Sequence, residues 1–535
     1  MRSHVKRFVA HAIATVTIIS ASSVIAGVNV NNGNFYIAYT DLFMPTKGLN
    51  IDVTRTYNSR SNYVKGFFGV GWSSEIEGYL SFEKDSVTYF EGGGGNVVRF
   101  NPSGKNSWSN SVYGLQTIKK VNAVYQLQSA SGKNLIFSDS GKLTKITDRN
   151  KNFLDITYNK DGRPEMFKDN FTNQIKVGWA EFGKHFRITS LEAGDLKARY
   201  KYSPVGDLTE ATGADGIPFV YSYDDEHNMA KIAYKDGTFK EMKYNKAKDW
   251  IISFRDKDKM TTGYNYISDS LDPENKFGTV VTRSMEGSKE RDTSRFWYEF
   301  RRRKDGSRYN YKSVTWIRGQ ITETILTECC GTPQAISQWK ADEPLATDKS
   351  QKWMLGGGDK KTTFFEYFGD GLLKKKTNFD GSVTALTYDS KHGKVSTVTK
   401  DGRKVEYTYD DRGNLAKAYD SENRRSLALS YSLQGQLDRI QESKFVGNKK
   451  SDAVIVFNYT DGKLDAIKEK TLDGTELGVI KIRYDSNGTV TQILNKDGRT
   501  VSSEKEMAMA QRVATTFQNL LEVVQPAGVS LTPEG

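Results

Sequence analysis

The chain has few of the residues from which most enzyme and metal sites are built. Only 2 of its 535 residues are cysteine and 5 are histidine. The later histidines, His185, His227 and His392, stand singly in or beside predicted turns. A tetrahedral zinc site needs several such ligands close together, so we predict no metal site and no cofactor. The sequence also has no GxSxG, HExxH or phosphate-loop motif. We therefore predict a non-catalytic protein, with a hydrolase built on paired carboxylates as the open alternative.

Long apolar runs are also missing after residue 26, which predicts that the rest of the chain does not cross a membrane. At the start, Arg2, Lys6 and Arg7 precede an apolar stretch that runs from Phe8 to Ile25. This order, followed by a small residue, is typical of a secretory signal peptide. A membrane anchor is the alternative. We expect residues 1–26 to be removed and the protein to be exported to the periplasm, the cell surface or the medium.

Apolar residues make up only 37% of the chain, whereas tyrosine (28) and phenylalanine (27) are plentiful. A thin sheet with one polar face needs fewer apolar residues than a thick core, and aromatic side chains suit a pleated surface. Helix patterns are scarce before the last thirty residues. The composition therefore indicates an all-β protein.

One short phrase recurs along the chain, and its clearest copy is YDDRGNL at residues 409–415. An aromatic residue ends an alternating run, Asp, Asn and Gly form a turn, and an apolar residue begins the next run. Tyr202, Tyr223 and Tyr244 follow one another at intervals of about 21 residues, as do Tyr367, Tyr388 and Tyr409. Self-similarity at this period indicates hairpins stacked into a repeat architecture.

The segment before the repeats contains NNGNFY, TDL, TRTYNSRS and GFFGVGWSS between residues 31 and 74. These motifs resemble the domain that precedes the YD repeats in bacterial Rhs proteins, and the repeats resemble the YD repeats of Rhs proteins and teneurins. The resemblance implies a YD-repeat antiparallel β-sheet that spirals into a hollow shell. In toxin-bearing relatives, that shell encloses a C-terminal effector and cuts it free.

The chain departs from that pattern where the self-cleaving core and the toxin would be expected. Its only Asp-Pro pair, Asp272-Pro273, lies in the middle of the repeats and lacks the glycine pattern of the cleaving motif. Few residues follow Gly498. The chain thus resembles a shell without its cargo, and the proteolytic residues of the family have no positions here.

We predict six regions. They are a signal peptide (1–26), an N-terminal β domain (27–105), a first YD-repeat array (106–267), a divergent segment (268–360), a second YD-repeat array (361–500) and a C-terminal amphipathic helix with its tail (501–535).

The divergent segment is basic and aromatic, and it holds the candidate ligand surface Trp297, Arg301, Arg302, Arg303 and Trp316. Such a surface could bind an anionic glycan or lipid headgroup. Strands with one polar face give the same alternation, so a solvated basic face is the simpler interpretation. We expect no nucleic acid partner.

Cys329 and Cys330 are the two cysteines of the chain, and they are adjacent. After export they would meet an oxidising environment, which favours a strained vicinal disulfide in the turn before Gly331. Two buried thiols and a redox or metal role are the alternatives.

The last segment contains an S-x-x-E capping box at Ser503 and Glu506. Met509, Val513, Phe517, Leu520 and Val524 follow at helical spacing on one face. The sequence predicts a short α-helix that covers an open end of the sheet, or that binds a partner.

These features predict an exported scaffold or binding protein of the cell envelope or exterior, with an unidentified protein or glycan as its partner. A shell that protects or delivers a separately encoded toxin or enzyme cargo is the first alternative. A carbohydrate-binding adhesin is the second.

Overall fold

The structure is a computed structural model. It describes residues 25–61, 65–110, 116–129, 132–304, 306–329, 331–342, 359–446, 448–484 and 490–499. The predicted C-terminal helix and nearly all of the predicted signal peptide lie outside these ranges. In the described part of the chain, no helix combines the length and the apolar character needed to cross a membrane.

Residues 25–77, to which we restrict the name N-terminal β domain from here on, contain six short strands and two single-turn 3-10 helices. The strands are β1 Ile25–Asn29, β2 Asn34–Met44, β3 Ile51–Asn58, β4 Lys65–Gly66, β5 Gly69–Val70 and β6 Trp72–Ser74. The 3-10 helices are Ser59–Ser61 and Glu75–Glu77. Strands β1, β2, β3 and β6 form a four-stranded antiparallel sheet in that order, and β4 pairs with β5.

A second, much longer sheet begins at Tyr79. Its first half contains β7 Tyr79–Phe82, β8 Val87–Phe90, β9 Val97–Gly104, β10 Ser107–Asn110, β11 Gln116–Val121, β12 Val124–Gln128, β13 Asn134–Phe137, β14 Leu143–Thr147, β15 Phe153–Tyr158, β16 Pro164–Asp169, β17 Gln174–Phe182, β18 His185–Ala193, β19 Leu196–Tyr202, β20 Leu208–Thr212, β21 Pro218–Tyr223, β22 Met229–Tyr234, β23 Phe239–Asn245, β24 Trp250–Arg255 and β25 Met260–Ser268.

The second half contains β26 Lys276–Met285, β27 Asp292–Arg302, β28 Arg308–Ile317, β29 Gln320–Leu326, β30 Pro333–Lys340, β31 Lys361–Tyr367, β32 Leu373–Thr377, β33 Val383–Tyr388, β34 Val395–Lys400, β35 Arg403–Tyr409, β36 Leu415–Asp420, β37 Arg425–Tyr431, β38 Leu437–Val446, β39 Lys449–Thr460, β40 Lys463–Lys470, β41 Glu476–Tyr484 and β42 Val490–Leu494.

The 36 strands of this sheet pair antiparallel, each with the next along the chain. The divergent segment joins the ladder without a break, because β25 pairs with β26 and β30 pairs with β31. The prediction of an all-β protein built on a long antiparallel repeat sheet is therefore confirmed.

The recurring phrase forms its turns as its residue types predict. In YDDRGNL, the Asp410 carboxylate accepts the backbone N–H groups of Arg412 and Asn414 at 2.9 and 2.8 Å. Gly413 has a φ of 84°, a conformation that a residue with a Cβ adopts only with strain. The most repeated residues are therefore occupied in shaping the hairpin.

The tyrosines of several phrases link their repeats to the preceding ones. The Tyr409 hydroxyl donates to the Val395 carbonyl oxygen at 2.6 Å, and Tyr431 donates to the Leu415 carbonyl oxygen at 3.0 Å. Trp179, which replaces the tyrosine in its own repeat, donates from its ring nitrogen to the Pro164 carbonyl oxygen at 2.7 Å. At this one position, a different ring thus supplies an equivalent donor.

Two parts of the long sheet that are far apart in sequence meet through their turns. Arg149, between β14 and β15, donates from Nη1 to the Gly413 carbonyl oxygen at 2.9 Å. Asn414 donates to Asn150 Oδ1 at 3.0 Å, and Asn152 donates to the Gln434 carbonyl oxygen at 2.8 Å. We call this contact the seam. It brings one winding of the sheet against the next, as a spiral requires.

Candidate functional site

The main buried polar cluster of the N-terminal β domain arises from charged residues in apolar series. In β3, Ile51, Val53 and Tyr57 alternate inward, and Arg55 occupies an inward position among them. In β2, a bulge between Thr40 and Leu42 turns both Asp41 and Leu42 inward. The fold therefore buries an arginine and an aspartate at inward strand positions, which apolar residues usually occupy.

Asp41, Arg55, Trp72, Tyr200 and Tyr221 form what we call the Arg55 cluster. Arg55 Nε donates to Asp41 Oδ2 at 2.6 Å, and Arg55 Nη2 donates to the Tyr221 hydroxyl at 2.9 Å. Tyr200 donates its hydroxyl to the same Asp41 oxygen at 2.9 Å. The guanidinium carbon lies 4.4 Å from the centre of the Trp72 ring, within range of a cation–π interaction.

Burial controls the electrostatics of this cluster, since the Arg55 side chain is 0% exposed and that of Asp41 is 3% exposed. Burial by itself lowers the pKa of Arg55, but the Asp41 carboxylate offsets this and raises that pKa above its ordinary value. The guanidinium therefore stays charged. Its polar partners come from both the N-terminal β domain and the long sheet.

Further hydrogen bonds attach the N-terminal β domain to the long sheet around this cluster. Trp72 donates its ring N–H to the Tyr223 hydroxyl at 2.9 Å, and Met229 donates its backbone N–H to the Tyr57 hydroxyl at 2.8 Å. The Asp41 carbonyl oxygen accepts the Ala214 N–H at 2.7 Å. The cluster is closed to solvent, and its carboxylate and tyrosine hydroxyls bind one another or Arg55. Its polar groups therefore serve to hold the N-terminal β domain on the long sheet.

The structure changes the composition of the predicted ligand surface. Trp297 and Trp316 are 1% and 4% exposed and pack with Val314, Ile321 and Trp339 in an apolar cluster. Their placement on a ligand surface was wrong, because strand alternation turns both side chains to the covered face. Aromatic residues occupy both faces of this region, so composition alone did not show which ones were covered.

The three arginines of that surface lie at the end of β27 and beside a turn. Arg301 and Arg302 are exposed, and Arg303 is half-buried. The Arg301 guanidinium stacks on the Tyr311 ring at 3.3 Å. Arg302 donates to the Gly306 carbonyl oxygen at 3.3 Å. These contacts fit the solvated basic face that the sequence also allowed, and binding of an anionic ligand stays a prediction.

Arg303 connects this basic turn to the cysteine turn. Its Nε donates to the Glu328 carbonyl oxygen at 2.8 Å, next to Cys329. Cys329 is disulfide-bonded. Cys330, the other cysteine of the chain, lies outside the described residues, so the vicinal pairing stays a prediction. The structure thus brings two separately predicted features into one place.

A cavity of about 270 Å³ lies where the N-terminal β domain meets the start of the long sheet. Its polar wall includes Asp52, Glu75, Glu91 and Lys133, and Lys133 forms an ion pair with Glu75. Burial and the nearby charge of Glu75 raise the pKa of Asp52. Across the ranges that the structure describes, no group of three or more His, Cys, Asp or Glu is arranged to hold a metal ion.

Residues 26–100 match a protein family described as a domain of unknown function, DUF6531. The matched region contributes Asp41, Arg55 and Trp72 to the Arg55 cluster. The match does not extend into most of the repeat sheet. No curated protein matches the chain.

The solved structures to which the chain is similar include three that contain TccC3. They are a crystal structure of TcdB2-TccC3-Cdc42 (12% identity, 86% of this chain and 24% of the other, TM-score 0.48), a crystal structure of TcdB2-TccC3 (13%, 88% and 23%, 0.41) and a Tc holotoxin pore from Photorhabdus luminescens with a mutated TccC3 (11%, 87% and 26%, 0.42). The chain spans about a quarter of the length of these structures.

Sequence reasoning missed the Arg55 cluster and the seam. The cluster had a readable signal, because Asp41 and Arg55 both stand at inward positions of strongly alternating strands. A charged residue in such a position implies a buried partner. The seam had no such signal in the sequence, because Arg149 and Gly413 belong to ordinary turn motifs.

Proposed function

We propose that the protein is an exported, non-catalytic scaffold that presents a rigid curved sheet at the cell envelope or outside the cell. The observation that carries this proposal is the Arg55 cluster, whose buried polar groups serve to fix the N-terminal β domain on the sheet. The turn residues of the repeats support it, since they are engaged in their own hairpins. The partner would be a protein or a glycan.

Export is part of this proposal and has two supports. The first 26 residues have the order of a signal peptide. Cys329 is disulfide-bonded, and such bonds persist mainly in oxidising compartments. Fractionation of the producing cells tests this point. Full-length, uncleaved protein in the cytoplasm would contradict it.

A second function, enclosure of a separately encoded cargo, is favoured by the seam. A sheet whose successive windings contact one another is closed along its side, as a container must be. The cargo would be a toxin or an enzyme encoded elsewhere.

Purification of the tagged protein from the native secretome, followed by mass spectrometry and protease treatment, separates the two functions. A scaffold should yield partners that protease removes, whereas a container should yield a second chain that stays protected until the shell is denatured. Hydrolysis of glycans by the pure protein, lost on Asp52→Asn, would contradict the non-catalytic proposal.

A further inference from the structure

The turn between β27 and β28 carries positive charge that no ion pair among the described residues balances. Residues 301–308, which we call the basic turn, read RRRKDGSR and hold five cations and one acid. Arg301, Arg302, Lys304 and Arg308 are exposed. Across the ranges that the structure describes, none of the five cations forms an ion pair with a carboxylate. The basic turn is therefore a concentrated and accessible positive charge.

The strand register makes this charge unfavourable in the free protein. Arg302 lies directly opposite Arg308. Directly paired residues of antiparallel strands point to the same face with their Cβ atoms about 5 Å apart, and like charges in such a pair are destabilising. The two guanidinium groups therefore repel each other, and an anion bound between them would remove the repulsion.

Other charged pairs of the sheet are neutralised by carboxylates. In the same two strands, Lys312 lies opposite Glu299 and binds it at 2.8 Å. Lys400 lies opposite Arg403, but Arg403 binds Asp420. The opposed arginines of the basic turn lack such a partner among the described residues. This contrast points to an anion from outside the chain.

Aromatic rings hold the arginines of the basic turn in place. The Arg308 guanidinium carbon lies 4.1 Å from the centre of the Phe300 ring, and Arg308 Nη1 donates to the Glu274 carbonyl oxygen at 2.9 Å. Arg301 stacks on Tyr311. A stacked guanidinium still presents N–H groups at its edge, where it binds carboxylate or phosphate through two parallel hydrogen bonds. Because these side chains are already held, binding costs them less conformational freedom.

We infer that the basic turn binds an acidic glycan, whose carboxylate, phosphate or sulfate groups bridge Arg302 and Arg308. Successive residues of a strand point to opposite faces, so Arg301 and Arg302 lie on the two sides of the hairpin. A flexible polyanion can reach both sides, whereas a flat membrane surface meets one. Tyr309 lies opposite Arg301 and is half-buried, so its ring and hydroxyl can contact a sugar. The inference rests on the proposed scaffold function and names the class of its partner.

The loop beside the basic turn argues against an anionic lipid surface as the partner. Leu271 in this loop is 93% exposed and could enter a membrane. Asp272 and Glu274 follow it closely, and their negative charges would be repelled by anionic headgroups. The acidic loop and the flat geometry of a membrane therefore both favour a soluble polymer.

Binding of the mature full-length protein to defined polymers tests the inference. The probes are heparin and polygalacturonate as acidic glycans, dextran as a neutral glycan, polyglutamate, and vesicles of phosphatidylglycerol, each titrated by calorimetry. The acidic glycans should bind at least about tenfold more tightly than the other three probes. Tighter binding of polyglutamate or of vesicles, or binding of none of the probes, would overturn the inference. The scaffold function would survive that result, because the secretome purification tests it separately.

A charge-matched pair of variants locates the site. Arg302→Gln combined with Arg308→Gln should weaken glycan binding by at least about tenfold. Lys160→Gln combined with Lys184→Gln removes the same charge from two exposed positions on other hairpins and should change binding little. Equal losses in the two double variants would show attraction to net charge alone and would overturn the inference.

Thermal unfolding provides an independent readout. Polygalacturonate should raise the melting temperature of the wild-type protein and leave that of the arginine double variant unchanged. Without glycan, Arg302→Gln alone should melt no lower than the wild type, because it removes a repulsion. If the double variant does not fold, Arg302→Gln replaces it in the binding measurement. A lower melting temperature for Arg302→Gln would contradict the repulsion on which the inference is built.

Discussion

At the scale of single residues, the polar side chains of the protein stabilise its own sheet. Arg55 is the clearest case, because it occupies a strand position that its neighbours fill with Ile51, Val53 and Tyr57. A buried ion pair adds little net stability compared with an apolar pair, yet breaking it leaves an uncompensated charge. Its value here is the specific placement of one domain on another.

Arg55→Met should therefore destabilise the protein strongly, by about 3–5 kcal/mol, because Asp41 would remain buried without its cation. Urea denaturation followed by tryptophan fluorescence measures this loss, since Trp72 lies in the cluster. Arg99→Met is the matched control. Arg99 pairs with Glu83 at 3.0 Å, but both side chains are at least half exposed, so its loss should cost less than about 1 kcal/mol.

The double variant Asp41→Leu, Arg55→Met tests the same explanation from the other side. It removes both charges, so it should recover part of the stability lost by Arg55→Met alone. A double variant that is less stable than Arg55→Met would show that the ion pair is not the cause.

The tyrosines of the repeats make a second residue-scale contribution. Tyr409→Phe keeps the ring but removes the hydroxyl that binds the Val395 carbonyl oxygen, which should cost about 1 kcal/mol locally. Hydrogen exchange of the amides in β34 and β35 should become faster. Tyr419→Phe, whose ring is 44% exposed, should leave exchange unchanged. Equal amide exchange rates in the two variants would show that the Tyr409 hydrogen bond does not stabilise the stacking of the repeats.

At the scale of elements, the hairpins were predictable and their partners across the spiral were not. The Tyr spacing, the Asp and Gly of each turn and the strand alternation are local properties, so YDDRGNL alone predicts its hairpin. Contacts such as that of Arg149 with Gly413 join residues more than 260 positions apart, and no local pattern encodes them. The same reason explains why Trp297 was placed on a surface although it is buried.

The seam contains two cations directed at one carbonyl oxygen. Arg149 and Lys394 both donate to the Gly413 oxygen. Burial and the charge of Arg149 lower the pKa of Lys394 to about 8, although Asp410 and Asp389 act in the opposite direction. Between about pH 8 and the ordinary lysine pKa of 10.5, the unfolded chain holds a proton that the folded protein has released. Stability should therefore rise with pH across this window.

Lys394→Met should remove this pH dependence, because it keeps the aliphatic chain and eliminates the charge. Limited proteolysis at the Asp410–Asn414 turn, at pH 7.5 and at pH 9.5, measures how firmly the seam is closed. Wild-type protein should be more resistant at the higher pH, and the variant should be equally resistant at both. Lys391→Met, which alters an exposed pair with Asp411, is the control and should behave as wild type.

At the scale of the whole molecule, the low apolar content and the seam point to a body wound from a thin sheet. The apolar side chains fall into three separate clusters rather than one core. The fold class followed from composition and period, because a repeat sheet needs one covered face. The path of the windings could not be predicted from composition and period, because it depends on the summed twist of 36 strands.

A wound sheet that encloses space should be larger than a solid domain of equal length. A compact chain of this length has a radius of gyration of about 24 Å. We expect X-ray scattering of the mature protein to give a clearly larger value, and single-particle images to show low density at the centre. Extended tails would also enlarge the radius, but they would leave the centre dense. A radius near 24 Å with a filled centre would mean that the sheet folds back on itself, and the cargo function would then be lost while the scaffold function remained.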